Sequence, residues 1–158
     1  MQVKQAELIA LKLMHMHGLV KEGWQFKIDE AKRRGGLCSF KNKTISVSRH
    51  LIERNNEPAT IDVLLHEIAH ALVGPMHGHN GIWRHRAMSI GCNGKRCHNH
   101  DMPEGKYLGM CPSCRKERRG HRRNRVACGQ CCRKYNGGKF THEYLLVWSA
   151  AKLVGNKK

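Results

Sequence analysis

The sequence contains no apolar run long enough to cross a membrane. A transmembrane helix needs roughly 20 consecutive apolar residues, and no stretch of the 158 residues comes near that length. The first apolar segment carries Lys4 and Glu7, which is unlike the uninterrupted apolar core of a secretory signal. We therefore expect an intracellular protein that is not secreted, located in the cytoplasm or on the nucleoid, or in the nucleus of a eukaryote.

Acidic residues are also scarce. The chain has 12 Asp and Glu against 29 Lys and Arg, and a formal net charge of +17. The excess lies mainly in residues 92–158, which carry 16 basic and 4 acidic residues. Such a charge favours polyanions through phosphate neutralisation and counterion release. The sequence thus predicts a nucleic acid as a partner, the alternative being a solvated basic surface without a fixed partner.

The eight cysteines favour metal ligation over disulfides, because an intracellular compartment is reducing. Two C-x-x-C pairs, Cys111 with Cys114 and Cys128 with Cys131, are separated by 13 residues. This spacing is typical of a zinc ribbon, in which four thiolates close a tetrahedral structural site. Cys132 is an alternative to Cys131 as the fourth ligand.

The segment between the two pairs is strongly basic. Arginine suits bidentate contacts with phosphate, so this loop predicts contacts with the nucleic-acid backbone rather than the bases, the alternative being a solvated charged loop. The predicted contact residues are Arg115, Lys116, Arg118, Arg119, Arg122, Arg123 and Arg125. Apolar residues after the second pair are predicted to close the ribbon: Phe140, Tyr144, Leu145, Val147 and Trp148.

Cys92 and Cys97 precede the ribbon and have three interpretations. They could bind a further metal with His98 or His100, form a disulfide, or remain free thiols in a connector.

In the first half of the chain, apolar periodicity predicts a helix over residues 5–17 and a half-buried strand over 24–28. Alternation then predicts a hairpin whose strands are residues 37–40 and 44–48. A further helix is predicted to begin within residues 55–58 (NNEP), where asparagine can cap and proline can occupy the first turn. Gly74 and Pro75 are predicted to end it.

Residues 66–70 (HEIAH) form the H-E-x-x-H pattern inside this helix. Residues four apart lie on one helix face, so His66 and His70 can bind the same metal ion. Glu67 is placed to activate a zinc-bound water as a general base, as in zinc metalloproteases. Asp62, one turn earlier, either supports His66 or favours the helix N-terminus.

A catalytic zinc usually has a third protein ligand and an open position. His77, His79 and His85 follow the helix end and are all candidates. The metzincin pattern would need glycine at position 73 and histidine at position 76. The chain has Val73 and Met76 there, which excludes that register.

Residues 65–72 (LHEIAHAL) followed by 79–83 (HNGIW) resemble the SprT-like metalloprotease family. The pattern of that family is H-E-x-x-H, then a turn, then a histidine that opens a helix as H-G-x-x-[FW]. The chain departs from it at Asn80, where glycine is usual, with Gly81 one position later.

The resemblance implies that His66, His70 and His79 hold a catalytic zinc and that Glu67 is the catalytic base. It implies an α+β fold, in which a zincin-like core of helices and a small antiparallel sheet spans residues 1–91. A connector at 92–106, a basic zinc ribbon at 107–150 and a basic tail at 151–158 would follow. Proteins of this family often carry such a ribbon after the protease core.

The predicted function is therefore that of a zinc metalloendopeptidase, with one catalytic and one structural Zn²⁺, that cleaves DNA-bound or DNA-crosslinked proteins. The alternatives are a nucleic-acid-binding zinc protein with a vestigial or conditional protease site, and a general intracellular peptidase. Candidates for stabilising the oxyanion are His77, His85 and Tyr107. We expect a monomer.

Overall fold

This computed structural model of the chain describes residues 1–97 and 99–151. The chain forms two compact units, Met1–Pro103 and Glu104–Lys158. The sequence placed the end of the protease domain at residue 91 and the connector at 92–106, whereas the first unit extends to Pro103. His98, and the predicted tail apart from residue 151, lie outside the described residues.

The first unit begins with α1 (Val3–Met16), close to the predicted helix. Its buried residues Ala6, Ala10 and Met14 recur every fourth position, so they share one face of the helix. Three strands follow, namely β1 (Gln25–Asp29), β2 (Gly36–Ser39) and β3 (Thr44–Ser48).

The three strands form one sheet in the order β1-β3-β2. β2 and β3 are the antiparallel hairpin that the sequence predicts. β1 pairs with β3 in parallel, however, so the prediction of an antiparallel sheet is wrong for this pair. The reason is topological. The chain passes β1 to form β2 at the far side of the sheet, and β3 then returns between them in the direction of β1. The sheet is therefore mixed, and β2 is an outer strand.

Three helices complete the first unit: α2 (Arg49–Arg54), α3 (Glu57–Val73) and α4 (Gly81–Ser89). α3 starts as predicted, because the Asn56 side chain accepts a hydrogen bond from the backbone N–H of Ala59 and Pro58 lies in the first turn. Such a cap stabilises a helix by about 1 kcal/mol. No helix in residues 1–97 or 99–151 is long and apolar enough to span a bilayer.

α3 contributes to each apolar cluster of the first unit. Val63 and Leu64 pack with α1, β3 and α2, while Ile68 packs with Met14 and Trp24. On a further side, Leu65 packs with α4. A helix enclosed in this way has little freedom to shift, so the side chains that it carries are held in fixed positions.

Residues beyond 91, predicted as a connector, pack on the first unit. Cys92 is buried against Leu65 in the cluster formed with α4. Asn93 donates two hydrogen bonds to the Asp62 carboxylate, from its backbone at 2.7 Å and its side chain at 2.6 Å. Asp101 is held in turn by Asn55, whose side-chain amide donates to its carbonyl at 2.9 Å.

The second unit contains an antiparallel sheet in the order β5-β4-β6. Its elements in chain order are β4 (Tyr107–Met110), β5 (Glu117–Gly120), α5 (Gly129–Tyr135), a 3₁₀ turn (His142–Tyr144) and β6 (Val147–Ala150). The basic segment between the cysteine pairs thus includes a strand as well as loops. The α+β class is confirmed, and this unit fits a zinc-ribbon module.

The apolar closure of the second unit differs from the prediction. Tyr144 and Leu146 are buried and Trp148 packs beside them, whereas Phe140 and Val147 are exposed. Leu146 and Trp148 are two residues apart where the chain enters β6, so they lie on one side of it and Val147 lies on the other.

Candidate metal centre

α3 supplies the first part of the site. His66 and Glu67 are buried and His70 is half-buried, all within the last three turns of the helix. The spacing of four residues places both histidines on one face, as the sequence predicts. The helix ends at Gly74, whose φ of 89° is a conformation that favours glycine and turns the chain away.

The chain returns to the same face at His79. Asn80 follows directly and caps α4, accepting hydrogen bonds at its Oδ1 from the backbone N–H groups of Ile82 at 3.0 Å and Trp83 at 3.2 Å. The asparagine that departs from the family pattern therefore has a local structural role. Capping by its side chain fixes the start of α4 beside His79.

Three imidazole nitrogens meet in front of α3. The Nε2 atom of His79 lies 3.0 Å from Nε2 of His66 and 3.1 Å from Nε2 of His70. The metal-binding atoms of the three residues all lie within 4.8 Å of one another. The structure therefore brings together the three histidines that the family resemblance selected.

Trp83 packs against all three rings. Its ring centroid lies 4.6 Å from those of His66 and His79 and 5.1 Å from that of His70. Trp83 is fully buried, so its indole forms a packed wall of the site. A wall of this kind limits the rotation of the imidazoles and keeps their nitrogens directed inward.

The donor set fits a zinc ion. Tetrahedral Zn–N bonds of about 2.0–2.1 Å place neighbouring nitrogens roughly 3.3 Å apart, close to the separations between these Nε2 atoms. Ligating imidazoles must be neutral. Burial and the neighbouring His79 lower the pKa of His70 to about 4, so that ring is neutral at pH 7.

Glu67 follows His66 on α3 and is almost completely buried. Burial raises the pKa of its carboxyl to about 7, although a hydrogen bond from the backbone N–H of Cys38 and the positive charge of Arg34 oppose the rise. A carboxyl whose pKa lies near neutrality can both accept and release a proton at pH 7, as general acid–base catalysis requires.

The sequence did not identify the groups around Glu67. Gly36 approaches this side chain closely, since a Cβ atom on Gly36 would lie 2.7 Å from Cγ and 2.8 Å from Oε1 of Glu67. A glycine within a strand does signal close approach by another group, and Gly36 is the first residue of β2.

The other histidine candidates lie elsewhere. His77 is half-buried, and its Nδ1 lies 3.4 Å from the side-chain amide of Asn80. His85 is exposed on α4. Tyr107, predicted as a further oxyanion candidate, lies on β4 of the second unit with the guanidinium of Arg123 4.9 Å above its ring.

A second group of ligands lies in the second unit. Sγ of Cys111 is 3.8 Å from that of Cys131, and Sγ of Cys114 is 3.7 Å from that of Cys128. Zn–S bonds of about 2.3 Å place tetrahedral sulfurs roughly 3.8 Å apart, so the cluster fits a metal. The backbone N–H of Cys131 lowers the pKa of Cys128, which favours the ligating thiolate at that position, whereas burial raises the pKa of Cys131. Cys132 is buried beside the cluster.

The seven basic residues predicted to bind nucleic acid are all exposed. Arg118 and Arg119 lie on β5, and Arg119 forms an ion pair with Glu104 at 2.9 Å. Arg125 lies against the ring of His142, with its Nη2 atom 3.0–3.1 Å from both ring nitrogens. The set thus lies along one strand and the loops on either side of it.

Cys92 and Cys97 differ in their surroundings. Cys92 is buried, and burial raises the pKa of its thiol to about 11, whereas Cys97 is exposed. Neither forms a disulfide within the described residues.

Two histidines one helical turn apart, a third histidine from the start of the next helix and a buried glutamate define a metallopeptidase-type centre in an α+β protein. The model of the SprT-like family matches residues 6–102, more than half of the chain, and the protein belongs to this family. This match confirms the predicted resemblance. Membership of the family indicates a metalloprotease-type function. No curated protein and no solved structure matches the chain.

Proposed function

We propose that the protein is a zinc-dependent endopeptidase that cleaves proteins bound or crosslinked to DNA. The observation that carries the proposal is the convergence of the His66, His70 and His79 Nε2 atoms, with the buried Glu67 directly after His66 on the same helix. Packing stability alone would not require imidazole nitrogens from two segments of the chain to be directed at one point.

In this proposal the three histidines would hold zinc, which when bound would supply Lewis acidity toward water and toward the scissile carbonyl. Glu67 accepts a proton from the attacking water and delivers it to the amine that leaves. Its burial suits proton acceptance, because desolvation makes a carboxylate a stronger base than one in water. Trp83, buried against all three rings, closes one side of the site.

The outer edge of β2 is the proposed binding surface for the substrate backbone. β2 has β3 on one side only, within the sheet that the structure describes. An extended peptide could therefore add to its other side by β-augmentation, pairing with the outward backbone groups other than the Cys38 N–H, which donates to Glu67. Since Gly36 lies next to Glu67, a peptide on this edge would pass close to the catalytic base.

The second unit supports the DNA part of the proposal. A groove beside β5 is lined in part by Lys116, Arg118 and Arg133, and the last of these was not in the predicted set. Guanidinium and ammonium groups along a groove suit contacts with the phosphate backbone. Four cysteines would hold a structural zinc that maintains this unit.

The test compares the wild-type protein with Glu67→Gln on a DNA-binding protein offered free, on single-stranded DNA and on double-stranded DNA. Glu67→Gln keeps the size of the side chain but removes the base. We expect two zinc ions per chain in both proteins and a loss of cleavage in the variant of at least about 10²-fold. Glu53→Gln, on the exposed surface of α2, is the control with the same change of charge.

Comparison of the free and the DNA-bound substrates distinguishes the competing functions. Faster cleavage on DNA supports the full proposal, whereas equal cleavage without DNA would indicate a general peptidase. Binding to DNA without any cleavage by the wild type would indicate a nucleic-acid-binding zinc protein. Affinity for DNA should fall steeply with salt, and neutralising Arg118 and Arg133 should flatten that dependence.

A further inference from the structure

The register of the hairpin determines which backbone groups β2 directs outward. Ser48 donates its backbone N–H to the carbonyl of Gly35 at 2.7 Å, so these two residues form a hydrogen-bonded pair. In an antiparallel ladder such pairs alternate with pairs that are not hydrogen-bonded to each other. Leu37 and Ser39 therefore bond to β3, while the backbone groups of Gly36 and Cys38 point away from it.

One of these outward groups bonds to Glu67, since the backbone N–H of Cys38 donates to the carboxylate. Gly36, two residues earlier on the same edge, is in van der Waals contact with the same side chain. We propose that β2 positions the catalytic base, with the Cys38 N–H holding the Glu67 carboxylate and Gly36 leaving the space in which its side chain lies.

The steric part of this inference is specific to Gly36. An alanine Cβ there would meet Cγ and Oε1 of Glu67 at 2.7 and 2.8 Å, and Cγ1 of Val63 at 3.0 Å. The first two separations are shorter than real Cβ contacts, so the Glu67 side chain would have to move. At Gly35, by contrast, a Cβ would meet only Leu51 and Val63, at 3.3 Å or more.

The inference rests on the proposed peptidase function and adds positioning residues to it. A carboxylate held by a hydrogen bond from a rigid strand meets the attacking water in a defined orientation. It also couples the substrate edge to the base, because the strand that would bind the peptide backbone is the strand that orients Glu67.

Amide hydrogen exchange in the full-length protein tests the hydrogen bond directly. An outward amide on an outer strand should exchange quickly unless something accepts its hydrogen. We expect the Cys38 amide to be protected in the wild type and to exchange roughly ten- to a hundred-fold faster in Glu67→Ala. The Leu37 amide, which bonds to β3, is the internal control and should stay protected in both proteins.

Substitution at Gly36 tests the positioning role. We expect Gly36→Ala to retain its zinc and to lower kcat by about 10²-fold with little change in KM. Gly35→Ala is the matched control and should leave kcat within a few-fold of the wild type. The loss of thermal stability caused by Gly36→Ala should be smaller in a Glu67→Ala background, because Cγ and Oε1 of Glu67, the two atoms it would meet most closely, are then absent and only the Val63 contact at 3.0 Å remains.

Three results would overturn the inference. One is a Cys38 amide that exchanges equally fast with and without the Glu67 side chain. Another is equal loss of kcat in Gly36→Ala and Gly35→Ala, and the third is full additivity of Gly36→Ala with Glu67→Ala in stability. If the wild type cleaves no substrate, the proposed function fails, whereas the exchange and stability measurements still decide whether β2 holds Glu67.

Discussion

Trp83 stacks on His70, with ring centroids 5.1 Å apart and planes inclined by 24°. The tryptophan comes from α4 and the histidine from α3, so this contact fixes one helix against the other at the metal-binding face. Because Trp83 also touches His66 and His79, one apolar side chain orients the complete set of imidazoles.

Trp83→Ala should therefore affect both folding and metal affinity. Removal of a fully buried tryptophan costs about 3–5 kcal/mol of unfolding free energy. Zinc affinity at the three-histidine site should fall by about 10- to 100-fold, which is the usual loss when a residue that orients metal ligands is removed. Denaturant titration and zinc competition measure the two effects. Trp83→Phe should show smaller losses in both, and unchanged zinc affinity in Trp83→Ala would contradict the orienting role.

Asn80→Ala should destabilise the first unit by about 1 kcal/mol, because two backbone N–H groups at the start of α4 lose their acceptor. Asn80→Ser should retain most of the stability, and Asn80→Gly should cost only a few tenths of a kcal/mol. Chemical denaturation of the three variants checks this order. Equal stability of the alanine and serine variants would mean that the cap is not important.

His79→Ala and His77→Ala distinguish the third ligand. We expect His79→Ala to lose one zinc equivalent and its peptidase activity, because its Nε2 faces both histidines of α3. His77→Ala should keep both zinc ions and most of its activity. Metal analysis after dialysis, together with a cleavage assay, makes the comparison. The reverse result would assign the site to His77 and contradict the structure.

Cys111→Ser and Cys132→Ser test the ribbon. Both residues are buried, but Cys111 belongs to the four-cysteine cluster and Cys132 lies beside it. We expect Cys111→Ser to lose one zinc equivalent and the fold of the second unit, since small metal-bound modules unfold without their ion. Cys132→Ser should keep two zinc ions. Circular dichroism with metal analysis gives the readout, and loss of zinc in both variants would include Cys132 in the site.

Thiol labelling should separate Cys92 from Cys97. The thiolate is the reactive form, and with a pKa near 11 only about one Cys92 thiol in a thousand is ionised at pH 8. Cys97 should react with iodoacetamide within minutes at that pH, while Cys92 should react only as the pH rises toward 11 or the protein unfolds. Mass spectrometry of labelled peptides locates the adducts. Fast labelling of Cys92 in the native protein would contradict its burial.

Local signals in the sequence were sufficient for the metal helix. Asn56, Pro58 and Gly74 mark its start and end because capping and helix termination depend on residues near one another in the chain. The spacing of His66 and His70 determines that they share a face, since helical geometry is local. The spacing within each C-x-x-C pair is also local, and it predicted the cysteines of the second cluster.

Other features depend on contacts between distant segments, and no local pattern contains them. The parallel pairing of β1 with β3 follows from where the hairpin lies, and the exposure of Phe140 follows from how the second unit closes. Sequence alone left three histidines as possible third ligands, and the family resemblance chose between them.

The sequence by itself determined that two histidines and a glutamate lie together on one capped helix, because a helix repeats every 3.6 residues. Only the tertiary structure decided what faces them. After the turn at Gly74, His79 lies next to His66 and His70, and Trp83 packs on all three rings. Gly36 and the backbone N–H of Cys38 lie next to Glu67. These are packing relations between residues far apart in the chain, and they form only when the whole unit folds.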